Sequence, residues 1–163
     1  MRWRTTVAAM LCAASAATIL AADDHMPLPT FDVLTATGVS VSSAHLSAES
    51  RWLVVYVVPE CGSCDRLLMA LVDWQRTLPP NRIVVIVGAA LAEAATYAAD
   101  HRIGDAAGIA WYADPSLAGR RALGLQRSPA LIAVEEGRRA WIISGVLNDP
   151  QTIEPAVRGW TLR

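Results

Sequence analysis

The spacing of apolar residues changes once near residue 60, and that change organises the chain. From Trp52 to Val58 the residues are almost all β-branched or aromatic, with no charge among them. This is the composition of a strand covered on both faces. Pro59 stops the run, and after Glu60 the apolar positions Cys64, Leu67, Leu68, Leu71, Trp74 and Leu78 recur on one face of a helix. The stretch Arg51 to Leu71 therefore predicts a buried strand, a sharp turn carrying Cys61-Gly62-Ser63-Cys64, and the start of a helix that ends before Pro79 and Pro80.

The remaining pattern alternates strands with helices. Phe31 to Leu34 and Val39 to Val41, around Gly38, read as short edge strands, followed by a polar stretch to Ser50. Arg82 to Val87 is a second buried run ending at Gly88, and Ala89 to His101 is Ala-rich and helical. Ile109 to Tyr112 gives a third strand. Asp114 and Pro115 then predict an N-cap with proline at the first helical position, and Gly124 a helix stop. Beyond Pro129, Ala130 to Val134 and Arg138 to Ser144 form a hairpin across Glu135-Glu136-Gly137. Asn148-Asp149-Pro150 opens a last helix through Trp160, with Pro155 delaying its start to near Thr152 or making its first turn irregular. The order implies an α/β domain with a mixed sheet and helices on both faces.

Composition separates the first residues from the others. Arg2 and Arg4 precede an uncharged run from Thr5 to Ala22, and Asp23-Asp24-His25 follows. The pattern is that of a secretory signal peptide over residues 1–22, or of an uncleaved N-terminal membrane anchor. The large Leu11 before Cys12 argues against a lipidation site. Residues 23–163 then form one domain, large enough for a hydrophobic core of its own. Without Arg2 and Arg4, 12 basic residues face 15 acidic ones, a net charge of −3, which leaves no basic footprint for nucleic acid. All basic residues are arginine, which excludes a lysine nucleophile or Schiff base. Downstream of the leader the only cysteines are Cys61 and Cys64, in a compartment where disulfides persist.

These features together resemble the thioredoxin fold, and more narrowly its secreted TlpA-like, redoxin-type branch. The resemblance runs from about Pro29 to Trp160 and rests on Phe31, Leu34 and Gly38 at the entry, an added strand and helix after the Cys helix, Asp114-Pro115, Gly124-Leu125 with Pro129, and Gly137 in the hairpin. It implies a protein disulfide reductase or oxidoreductase without a cofactor. Its client would be a specific protein, such as an apocytochrome or a metalloenzyme precursor. Its electron donor would lie in the periplasm or the membrane. The protein itself would be periplasmic or secreted, and tethered to the inner membrane if the leader is retained.

Position supplies the chemistry. Cys61, at the mouth of the helix, gains from unsatisfied amides and the helix dipole, which favour a thiolate and make it the attacking sulfur. Cys64, one turn along, can form the Cys61–Cys64 disulfide and resolve a mixed disulfide with the client. By resemblance, Pro129 is a cis-proline facing the pair, and Ser128, Pro129, Gly62 and Ser63 contact the substrate. Three residues depart from the relatives: Glu60 replaces an aromatic before the first cysteine, and Val55 and Leu67 stand where buried carboxylates usually do. The proton of Cys64 then passes to Glu60, the first choice because it adjoins Cys61, or to Asp65 or water. Glu60 also disfavours the Cys61 thiolate, against the helix terminus and Arg66, which predicts a reducing pair.

Other chemistries have weaker support. A Cys-x-x-Cys can be half of a zinc site, but His25, His45 and His101 are scattered and no second cysteine pair follows. A copper chaperone of the secreted redoxin kind wants a downstream histidine, and none follows His101. A peroxidatic cysteine wants Pro and Thr where Val54 and Val58 stand. The histidines read as surface residues. The remaining alternative is a binding or assembly factor with a structural disulfide, whose proline loop docks a partner.

Overall fold

The computed structural model describes residues 26–106, 108–145 and 149–163. The leader expected over residues 1–22, and Asn148, lie outside them. Eight strands make one sheet: β1 (Met26–Pro27), β2 (Asp32–Leu34), β3 (Ser40–Ser42), β4 (Arg51–Val57), β5 (Ile83–Val87), β6 (Ile109–Ala113), β7 (Ala130–Glu135) and β8 (Arg138–Ser144). Their order is β1-β8-β7-β4-β5-β6-β2-β3. Strands β4, β5 and β6 run parallel, and all other neighbours are antiparallel. The described residues also form four α-helices: α1 (Gly62–Trp74), α2 (Leu91–Asp100), α3 (Ala118–Ala122) and α4 (Glu154–Thr161).

The two-residue period of β4 sorts the core. Leu53, Val55 and Val57 face α1, α2 and α4, packing with Leu67, Leu68, Leu71, Ala94, Tyr97 and Val157. Trp52, Val54 and Tyr56 face the other side, with Phe31, Leu46, Leu123 and Leu125. All of β5 and most of β7 are buried, as expected for strands covered on both faces. The predicted helical face holds: Cys64, Leu67, Leu68, Leu71, Trp74 and Leu78 are all buried. No helix among the described residues is long and apolar enough to cross a membrane.

Differences from the expected pattern fall at element ends. The α1 helix stops at Trp74, and a 3-10 turn over Gln75–Thr77 completes the run to Leu78. Helix α3 begins at Ala118 rather than Pro115 because Leu117 takes a left-handed conformation, φ 55°. Asp114 still caps it from a distance, accepting from the amides of Ala118 (2.7 Å) and Arg120 (3.2 Å). Gly124, at φ 67°, closes the same helix, with the amides of Leu125 and Gly124 donating to the carbonyls of Arg120 and Arg121 in a Schellman arrangement. The hairpin turn needs positive φ at Glu136 (49°) and Gly137 (72°), which matches the twist of a two-residue loop. Pro155 defers α4 to Glu154, after a 3-10 turn over Pro150–Thr152. Strand β1 has no signature in the sequence because two residues carry no period, and its pairing with Arg138 and Arg139 defines it only in three dimensions.

Asp114 is fully buried and also accepts the Tyr56 hydroxyl at 2.9 Å, so it joins β4, β6 and α3 at one end of the sheet. Burial, followed by the Asp114 charge, pushes the Tyr56 phenol far above its ordinary value, so it remains a donor. Asp114→Ala strands three donors and should lower stability by about 3 kcal/mol in urea unfolding. Tyr56→Phe leaves Asp114 both amides and should cost about 1 to 2 kcal/mol. Losses near zero for both would show that this network does not hold the sheet end.

Candidate active site

The end of β4 and the start of α1 set the position of the cysteines. The strand ends at Val57, and the chain turns through Pro59 and an exposed Glu60 held at φ 58°. Cys61 is the N-cap of α1, with extended backbone (φ −116°, ψ 95°). Its carbonyl accepts from the amides of Cys64 (2.7 Å) and Asp65 (3.1 Å). Its Sγ accepts from the Cys64 amide at 3.3 Å, so a sulfur takes the place that a Ser or Asp oxygen usually fills at a helix start.

Cys61 and Cys64 are joined as a disulfide, with Cα atoms 5.2 Å apart. The two sulfurs differ in access: Cys61 is half-buried, whereas Cys64 is fully buried in the core beneath α1. Across from them, β7 pairs antiparallel with β4, and Tyr56 lies opposite Ala130. That register carries the preceding loop to the cysteines. The Ser128–Pro129 peptide bond is cis, Pro129 is buried, and the Ser128 carbonyl oxygen lies 3.8 Å from Cys61 Sγ. The Ser128 hydroxyl is buried with no hydrogen-bond partner among the described residues.

The other expected site residues are less closely gathered. Gly62 is exposed at the first position of α1, and Ser63 is buried with its hydroxyl accepting from Arg66 at 3.3 Å. Val55 and Leu67 are fully buried, so no carboxylate stands at those positions under the disulfide. The buried Asp114 is reached through Tyr56, on the opposite side of the sheet from Cys64. Among the described residues, no group of three His, Cys, Asp or Glu side chains is placed to hold a metal ion.

The sequence did not disclose one cluster beside the cysteines. Asp65 Oδ1 accepts the Tyr97 hydroxyl at 2.7 Å and lies 3.2 Å from His101 Nε2. His101 is thus not a free surface residue: its side chain is 15 % exposed and tilts against the Tyr97 ring at 4.3 Å. The available signal was Tyr97 and His101 four apart on one helical stripe, but nothing in one dimension aims that stripe at Asp65.

No family model matches the chain, and no curated protein matches it. Solved structures do. The chain is similar to a DsbE-type thiol:disulfide interchange protein from Chlorobium tepidum, at 18% identity over 86% of this chain and 96% of that one, TM-score 0.60. It is similar to a secreted Mycobacterium tuberculosis disulfide oxidoreductase homologous to E. coli DsbE, at 12% identity over 79% and 95% of the two chains, TM-score 0.61. A peroxidoxin from Mycobacterium tuberculosis matches at 12% identity over 83% and 94%, TM-score 0.67. This is the thioredoxin fold. At such identities the likeness establishes the architecture, which disulfide oxidoreductases and a peroxidoxin share. Within that architecture this thioredoxin-fold chain carries its two cysteines at the start of α1, facing the Ser128–Pro129 loop.

Proposed function

We propose that this chain is a thiol-disulfide oxidoreductase that reduces disulfides of a specific client protein outside the cytosol. One observation carries the reading: a half-buried Cys61 sulfur at a helix N-terminus, bonded to a buried Cys64 and facing the Ser128 carbonyl beside Pro129. The similarity to disulfide oxidoreductases of the same fold supports it. In residues 1–22, the charged start and uncharged run support export, either as a cleaved leader or as an inner-membrane tether.

In the reduced protein, Cys61 acts as thiolate, stabilised by the Cys64 amide and the helix terminus. It attacks one sulfur of the client disulfide. The client S–S bond breaks, its second sulfur leaves as thiolate and takes a proton, and Cys61 holds the first in a mixed disulfide. Cys64 then gives up its proton and attacks Cys61 Sγ, releasing the first client sulfur, which is protonated. Two electrons and two protons have passed to the client. A dithiol donor in the same compartment restores the pair. Ser128, Pro129, Gly62 and Ser63 line the approach, with the backbone beside Pro129 offered for strand-like pairing.

The proton of Cys64 goes to Glu60, by way of water. Asp65 is already held by Tyr97 and His101, while Glu60 is exposed at the same turn. The negative charge of Glu60 also opposes the Cys61 thiolate and favours the disulfide, which makes the pair a reductant.

Cys64→Ser should accumulate a mixed disulfide with the client through Cys61, whereas Cys61→Ser should accumulate none. Trapping by Cys61→Ser alone would reverse the assignment of the two sulfurs. Both variants should lose insulin reduction. Glu60→Gln should make the glutathione-equilibrated potential less negative by about 10 to 20 mV. The wild-type value should lie well below that of the most oxidising dithiols of this fold, about −120 mV, and a value near that figure would refute the reductant reading.

A further inference from the structure

Asp65 occupies an awkward position for a thiolate site. Its amide donates to the Cys61 carbonyl at 3.1 Å, so its carboxylate is carried on the first turn of α1, four residues beyond the N-cap Cys61. A negative charge in the first turn opposes a thiolate at the cap of the same helix, although it also suits the helix dipole. The same acid that helps α1 begin thus works against the Cys61 thiolate.

Helix α2 and the residue that caps it meet this charge. Tyr97, on the buried face of α2, donates its hydroxyl to Asp65 Oδ1 at 2.7 Å. Burial, and then the bond to Asp65, push its phenol far above its ordinary value, so it donates across the neutral range. His101 faces two acceptors: Nε2 lies 3.2 Å from the same carboxylate oxygen, and Nδ1 lies 2.9 Å from the Tyr97 carbonyl oxygen. A ring protonated on both nitrogens donates to both, whereas a neutral ring donates to only one.

We propose that Tyr97 and His101 are positioning residues for the dithiol: they hold the Asp65 carboxylate between α1 and α2 and offset its charge, so that the Cys61 thiolate at the start of the same helix forms at lower cost. The inference rests on the reading of Cys61 as the attacking sulfur. Because the thiolate belongs to the reduced form, the clamp stabilises that form and sets the potential of the pair.

The test is equilibration with glutathione at neutral pH. The protein dithiol and one oxidised glutathione exchange two electrons and two protons to give the Cys61–Cys64 disulfide and two reduced glutathiones. His101→Gln keeps a hydrogen-bonding side chain and removes the imidazole from Asp65 Oδ1. It should shift the equilibrium about fivefold toward the protein disulfide, a potential about 20 mV more negative. Tyr97→Phe keeps the buried ring and should shift it the same way. In an Asp65→Asn background neither substitution should move the potential, since the charge to be offset has gone.

A shift of equal size in both backgrounds, or none in either, would overturn the proposal. A purely structural role would instead appear as a lower melting temperature without that dependence on Asp65. The glutathione equilibrium needs no client. Failure of the proposed activity would therefore show separately, as wild-type protein that does not reduce insulin while the coupling among Asp65, Tyr97 and His101 persists.

Discussion

The amide of Cys64 reaches Cys61 Sγ at the first turn of α1, and the remainder of the site depends on where that turn begins. Strand β4 is buried along almost its whole length, so its end at Val57 is fixed by packing on both faces. Pro59 and the left-handed Glu60 then turn the chain sharply enough to make Cys61 a helix cap. Cys64 descends into the core and anchors that turn. Antiparallel pairing of β7 with β4 in turn brings Ser128 to the sulfur. Two separate parts of the sequence, residues 51–64 and 128–135, thus converge because a single strand register is enforced by apolar burial.

Most of this architecture can be read in one dimension because burial writes itself as period. The run from Trp52 names a strand covered on both faces and the stripe from Cys64 to Leu78 a helical face; the structure buries Trp52 to Val57 and that stripe, and leaves Val58 half-buried. Boundaries are less legible where the deciding feature is a backbone angle. Leu117 carries no sign that it will adopt φ 55°, and this angle moves the start of α3 from Pro115 to Ala118. Strand β1 has only two residues and gains its identity from β8.

Polar contacts are less legible for a different reason. Asp114 was legible as a helix cap, but its bond to Tyr56 crosses from β6 to β4 and depends on sheet order. Asp65 read as an acid suited to a helix start. Its link to Tyr97 and His101 follows from how α2 packs on α1, which no local pattern states. The absence of carboxylates at Val55 and Leu67, in contrast, was fully visible, and both side chains are buried. Acids around this pair therefore stand at its rim, at Glu60 and Asp65, where solvent and neighbouring donors moderate them.

The account turns on unequal access and activation of the two sulfurs, and brief alkylation of the fully reduced protein tests that most directly. Under limiting iodoacetamide near pH 7, mass spectrometry should find Cys61 modified first and Cys64 spared until the protein is unfolded. Equal modification of the two, or faster modification of Cys64, would contradict it.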